Sequence, residues 1–190
     1  MLFGFDKRKG IFMCKKLKEI HNLMPEDFLR DFSELPVNIN YILKKWNIDH
    51  TAVSFDSLQK DLPLKNLKIT GLSYAKEDDL FILYSKKSTL SEARFTLAHE
   101  LGHCCMHMSV DSSCHIELQT VGDVLEKTGD SYKIFNAKKE AEADKFARTL
   151  LIPTNALLLL LQKETNWTIK RLADFFVVPI PQMQKKLKEI

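Results

Sequence analysis

No stretch of this sequence stays apolar long enough to cross a bilayer: the greasiest run, residues 156–161, falls far short of the roughly 20 residues a spanning helix needs. The first ten residues are interrupted by Asp6, Lys7, Arg8 and Lys9 and hold no apolar stretch of the kind a secretory leader carries. A cytoplasmic protein with no membrane partner is the expectation. A disulfide framework is missing too. Cys14, Cys104, Cys105 and Cys114 lack its even spacing, and the adjacent Cys104 and Cys105 are poorly placed to pair with each other, so free thiols in a reducing compartment are expected. Charge of one sign is scarce. A formal net charge of +3 is too slight to imply nucleic acid, and Lys185, Lys186 and Lys188 read as a solvated helix face. Internal repeats and low-complexity linkers are absent as well.

What is present is enough for one globular domain: 190 residues, of which 45% are hydrophobic. Helices are predicted over 25–32, where Pro25 takes an N1-like place, and after Asn38, where Ile39, Ile42, Leu43 and Trp46 recur at helical spacing. Runs 67–74 and 80–84 are rich in strand formers and are separated by a polar turn, which predicts an antiparallel hairpin. Thr89 and Glu92 have capping-box spacing, so a central helix should begin there and carry Phe95, Ala98, His99 and His103. Segment 109–136, with Gly122 and Gly129, reads as a lid or insertion with one strand at 114–120. Asn136 is placed to cap a helix over 137–151 that Pro153 ends, Thr154 to cap a leucine-rich successor, and 168–176 and 181–189 to form two short helices. The expected division is an N-terminal helical extension (1–37), a main domain (38–163) and a two-helix tail packed on it (164–190).

The chemistry is concentrated in His99-Glu100-Leu101-Gly102-His103. At about 100° per residue, imidazoles four apart lie on one helix face within reach of a single metal. Zinc suits neutral imidazole nitrogen and, in catalytic sites, takes three protein donors and keeps one position open. Glu100 is then placed to take a proton from water and pass it to a leaving amine. An HExxH on an ordinary helix arises readily by chance, but here Phe95 and Ala98 give the helix a buried face, on which two histidines are difficult to satisfy without a metal. A third ligand is sought in 140–151. Glu140, Asp144, Ala147 and Leu151 form one stripe, while Glu142 lies about 200° around from Glu140. Glu140 is therefore the favoured ligand over Glu142, with Asp144 one turn on as acceptor for the spare N–H of a ligand histidine. The bland alternative is an acidic first turn that merely complements the helix dipole. His107, Cys104, Cys105, His115, Tyr84 and Tyr132 are weaker candidates. His107 reads as a helix-end or cleft residue, and the cysteines as small buried hydrophobes.

The blocks RFTLAHELGHCCMH (94–107) and EAEADKFARTLLIP (140–153) together resemble the paired signature of the ImmA/IrrE family of zinc metallopeptidases, and TIKRLADFFVVPIPQMQKKLKEI (168–190) is similar to that family's helical tail. The resemblance implies an α+β fold with a gluzincin-like core: a small antiparallel-type sheet packed on the HExxH helix, a second ligand helix and the tail. It implies zinc on His99, His103 and the glutamate of the second block, with Glu100 as base. The first Glu of an ExxxD run again selects Glu140 with Asp144. The substrate it implies is a protein, a helix-turn-helix DNA-binding repressor of a mobile element or stress response. Departures from the family's pattern are the long gap 108–139, cysteines after His103 where aliphatic residues are more usual, and Phe176-Val177-Val178-Pro179 in place of a glycine-containing turn. Two other readings stand beside this one: a non-catalytic zinc-containing regulator that grips a repressor or DNA through the C-terminal helices, and a protease or toxin acting on another protein.

Overall fold

A computed structural model describes residues 14–30, 34–56, 67–76, 78–108, 114–120, 137–164 and 166–190; for 67, 68 and 114–120 the description covers the backbone. The described residues open with three short helices, α1 (Lys15–Ile20), α2 (Pro25–Leu29) and α3 (Ile39–Lys45). Asn38 Oδ1 accepts the Tyr41 N–H and caps α3, as its position before an apolar stripe predicts. Strands β1 (Asp49–Val53), β2 (Leu67–Lys76) and β3 (Asp79–Ser85) lead into the long helix α4 (Leu90–Met106). Strand β4 (Cys114–Thr120) and helices α5 (Ala137–Leu151), α6 (Thr154–Lys163), α7 (Ile169–Phe176) and α8 (Ile180–Lys188) complete the order.

The α+β class is as expected, and β2 and β3 form the predicted hairpin, in which Tyr74 faces Phe81 with stacked rings 5.0 Å apart. The sheet itself is not purely antiparallel. Its order is β1-β3-β2-β4, and β1 runs parallel to β3 at one edge. This strand escapes a reading by periodicity because DHTAV has no buried position to alternate with exposed ones; ladder hydrogen bonds hold it. The strand expected at 114–120 is present and pairs antiparallel with β2. The rest of the lid-like segment 109–136, with Tyr132 and the Asn136 cap, lies outside the described residues, as does the side chain of His115.

Helix α4 is the centre of the molecule. Thr89 Oγ1 accepts the Glu92 N–H while Glu92 Oε2 accepts the Thr89 N–H at 2.7 Å, the predicted capping box. From Phe95 to Cys105 every residue of the helix is buried, because β2 and β3, α1, α3 and α5 all pack against it. The core runs without a break from Leu17, Ile20 and Phe28 through Leu80, Ile82 and Leu101 to Leu150, Phe176 and Met183. Phe28 joins the N-terminal helices to the rest, meeting Trp46 at 5.3 Å and Phe146 at 6.0 Å.

Two helix ends depart from expectation. Thr154 does not cap α6: it is the first helical residue, Pro153 takes the cap position, and the Thr154 hydroxyl accepts from Lys186 Nζ at 2.9 Å. Helix α7, which Thr168 caps by accepting the Arg171 N–H, ends on Val177 in the left-handed region (φ 53°), where a glycine is usual. Among the described residues, no helix is long and apolar enough to cross a membrane.

Candidate metal centre

The polar side chains inside α4 are the unusual feature of the core. His99, Glu100 and His103 retain 2%, 0% and 0% of their exposure, in a helix whose neighbouring positions are Leu97, Ala98, Leu101 and Cys104. Buried polar groups need partners, and these three find them on two different elements.

One partner element is α5, which crosses α4 so closely that a Cβ on Gly102 would stand 3.1 Å from the Phe146 side chain. That approach brings Glu140 to the imidazoles. Its Oε2 lies 3.2 Å from His99 Nε2 and 3.4 Å from His103 Nε2, and the two Nε2 atoms are 2.9 Å apart. One ligating atom from each of the three residues thus lies within 4.8 Å of the others. Donors held about 2.0–2.1 Å from a tetrahedral zinc stand roughly 3.3–3.4 Å from one another. The donor set of two imidazoles and one carboxylate suits such an ion, and the two separations from Glu140 Oε2 match its spacing, with the two Nε2 atoms standing closer.

Each imidazole's second nitrogen is also engaged. His99 Nδ1 lies 3.2 Å from Asp144 Oδ1. Burial raises the Asp144 pKa, but the hydrogen bond and charge of His99, together with Lys185, outweigh it and hold the carboxyl below the usual range. Lys185 Nζ reaches Asp144 Oδ2 at 3.2 Å and Arg148 Nη1 reaches it at 3.5 Å. Arg148 is buried and also binds Gln182 Oε1 and Glu189 Oε1, at 3.1 and 2.7 Å. Asp144 is thereby tied to α8. On the other side, His103 Nδ1 faces His107 Nδ1 at 3.0 Å, and His107 Nε2 faces Glu142 Oε2 at 2.9 Å.

The other partner element is the sheet. Glu100 Oε2 accepts a hydrogen bond of 2.5 Å from Ser73 Oγ, which is fully buried on β2. A lone serine in a strand gives no sequence signal, and Ser73 is not among the residues the sequence singles out. The structure brings His99, His103 and Glu140 together, sets Asp144 behind His99, and leaves Glu142 44% exposed on the flank. His107 occupies the helix-end position expected of it, and its ring reaches back to His103. Cys104 and Cys105 are buried, and burial raises both thiol pKa values well above normal, so neither is an available thiolate. Tyr84 packs, half-buried, against the hydrophobic core.

No curated protein and no solved structure matches the chain. The peptidase M78 family model, described as an IrrE N-terminal-like domain, matches residues 59–188, a span that includes β2, β3, α4 and every helix after it. The match covers well over half of the chain and takes in both α4 and α5, whose side chains meet at the centre: the chain belongs to the ImmA/IrrE family of metallopeptidases.

Proposed function

We propose that this chain is a gluzincin-like zinc endopeptidase whose metal is held by His99 and His103 of the HExxH helix and by Glu140. The observation that carries the proposal is the meeting of these three donor atoms, from two helices, in a largely buried site. Zinc held there supplies Lewis acidity towards a peptide carbonyl and towards water. Glu100, one residue from a ligand, accepts a proton from the attacking water at its carboxylate and delivers it to the leaving amine. Ser73 holds that carboxylate in place against the sheet.

The substrate is proposed to be a helix-turn-helix repressor, by resemblance to the family. The reading in which the tail grips a repressor or DNA is less well supported. Leu172, Phe176 and Met183 are buried, Lys186 is turned inward to Thr154, and Lys185 is engaged with Asp144. Undetectable DNA binding at low salt is expected.

Purified protein is expected to contain about one zinc per chain, the complement of a catalytic site. Co-expression with repressors encoded nearby is expected to yield a defined fragment, and Glu100→Gln to keep the metal while abolishing that fragment. Cleavage that persists in Glu100→Gln refutes the proposed base.

A further inference from the structure

Glu142 points away from Glu140, yet it is linked to the same centre by another route. Its carboxylate is 44% exposed, the His107 ring it meets is 7% exposed, and the His103 ring beyond is fully buried, so a line of hydrogen bonds runs inward from the surface to a ligand. The separations along it are 2.9 Å from Glu142 Oε2 to His107 Nε2 and 3.0 Å from His107 Nδ1 to His103 Nδ1.

With Glu142 ionised and the His107 ring neutral, protons can be placed along this line in one way. An ionised carboxylate only accepts, so His107 must donate from Nε2. The neutral His107 ring then carries its lone pair on Nδ1 and accepts there. His103 must therefore donate from Nδ1, which leaves its own lone pair on Nε2, the atom that faces His99 Nε2 and Glu140 Oε2. Asp144 imposes the same tautomer on His99 in a single step, through Nδ1. Three acidic residues on α5 thus act on one centre: Glu140 as a donor, Asp144 behind one imidazole and Glu142 behind the other.

We infer that Glu142, acting through His107, is a positioning residue: it fixes His103 in the Nδ1-protonated form and holds its Nε2 lone pair towards the metal. This rests on the metal centre proposed above. An isolated surface ion pair between Glu142 and a lysine or histidine would do nothing for His103, whereas a second acceptor behind a ligand histidine typically governs metal affinity.

The test is zinc affinity of the metal-stripped full chain, measured by competition with a chromophoric chelator, alongside melting of the metal-free protein. Glu142→Ala is expected to weaken zinc binding about 10-fold, in the range typical of such partners, and to leave metal-free melting unchanged. His107→Ala is expected to weaken it at least as much. The double variant should be no worse than His107→Ala alone, because both residues act on one nitrogen through one line. Wild-type affinity in Glu142→Ala overturns the inference while leaving the metal centre intact. So do strictly additive losses, or a loss matched by lower metal-free stability. A wild type that binds no zinc overturns the metal centre and this inference together.

Discussion

Asp144 shows how much one carboxylate can govern without touching the reaction. It lies 3.2 Å from His99 Nδ1 and is itself held by Lys185 and Arg148, so the ring it orients is braced from α8. Asp144→Ala is expected to lower zinc affinity about 10- to 100-fold, read by chelator competition, with the fold retained. The i, i+4 spacing of His99 and His103 and the stripe shared by Glu140 and Asp144 make these four residues legible in the sequence, because helical geometry is local. Ser73 and the path through His107 to Glu142 are not legible. The first depends on which strand lies under Glu100, the second on how far one helix end reaches along another.

At the level of elements, the site depends on how closely α4 and α5 approach. Gly102 permits that approach, and Phe146 opposite it is buried and wedged against Phe28. Overpacking costs about 1–3 kcal/mol, and alanine's helix propensity returns about 1 kcal/mol. Gly102→Ala is therefore expected to destabilise the protein by about 1 kcal/mol and, by spreading the helices, to weaken zinc binding as well. Equal melting and equal affinity would show that the contact yields without cost. Val177 presents the opposite case. A β-branched residue in the left-handed region is strained, by about 1–3 kcal/mol, at a position whose carbonyl accepts from Arg94 Nε and whose N–H closes the helix end, both of them backbone groups a glycine keeps. Val177→Gly is expected to raise stability by about 1 kcal/mol, measured by denaturant midpoint. The departure of this tail from a glycine-containing turn is a change of residue, since the turn keeps the left-handed conformation a glycine would favour.

For the molecule as a whole, the hydrophobic core extends well beyond the metal site. It passes continuously from α1 to α8, and the three donors meet at one place between α4 and α5. Chelation is therefore expected to leave a cooperatively folded protein. Free zinc at 100 times its Kd should restore about 2.7 kcal/mol of stability by mass action, visible as a concentration-dependent melting temperature. Unfolding on chelation would instead mean that the ion is part of the core. The tail belongs to this scale too: Arg148 joins Asp144 to Gln182 and Glu189, so the last helix and the centre share one hydrogen-bonded network.

Short covalent spacing, which the sequence carries by itself, determined the caps at Asn38 and Thr89, the hairpin of β2 and β3, the paired imidazoles, and the stripe that sets Glu140 apart from Glu142. Only the tertiary structure decided the parallel placement of β1, the serine beneath Glu100, and the use of Glu142 on an exposed flank. These rest on where separate elements cross. A crossing is set by packing between residues distant in the chain, such as Gly102 against Phe146, and no local period records it.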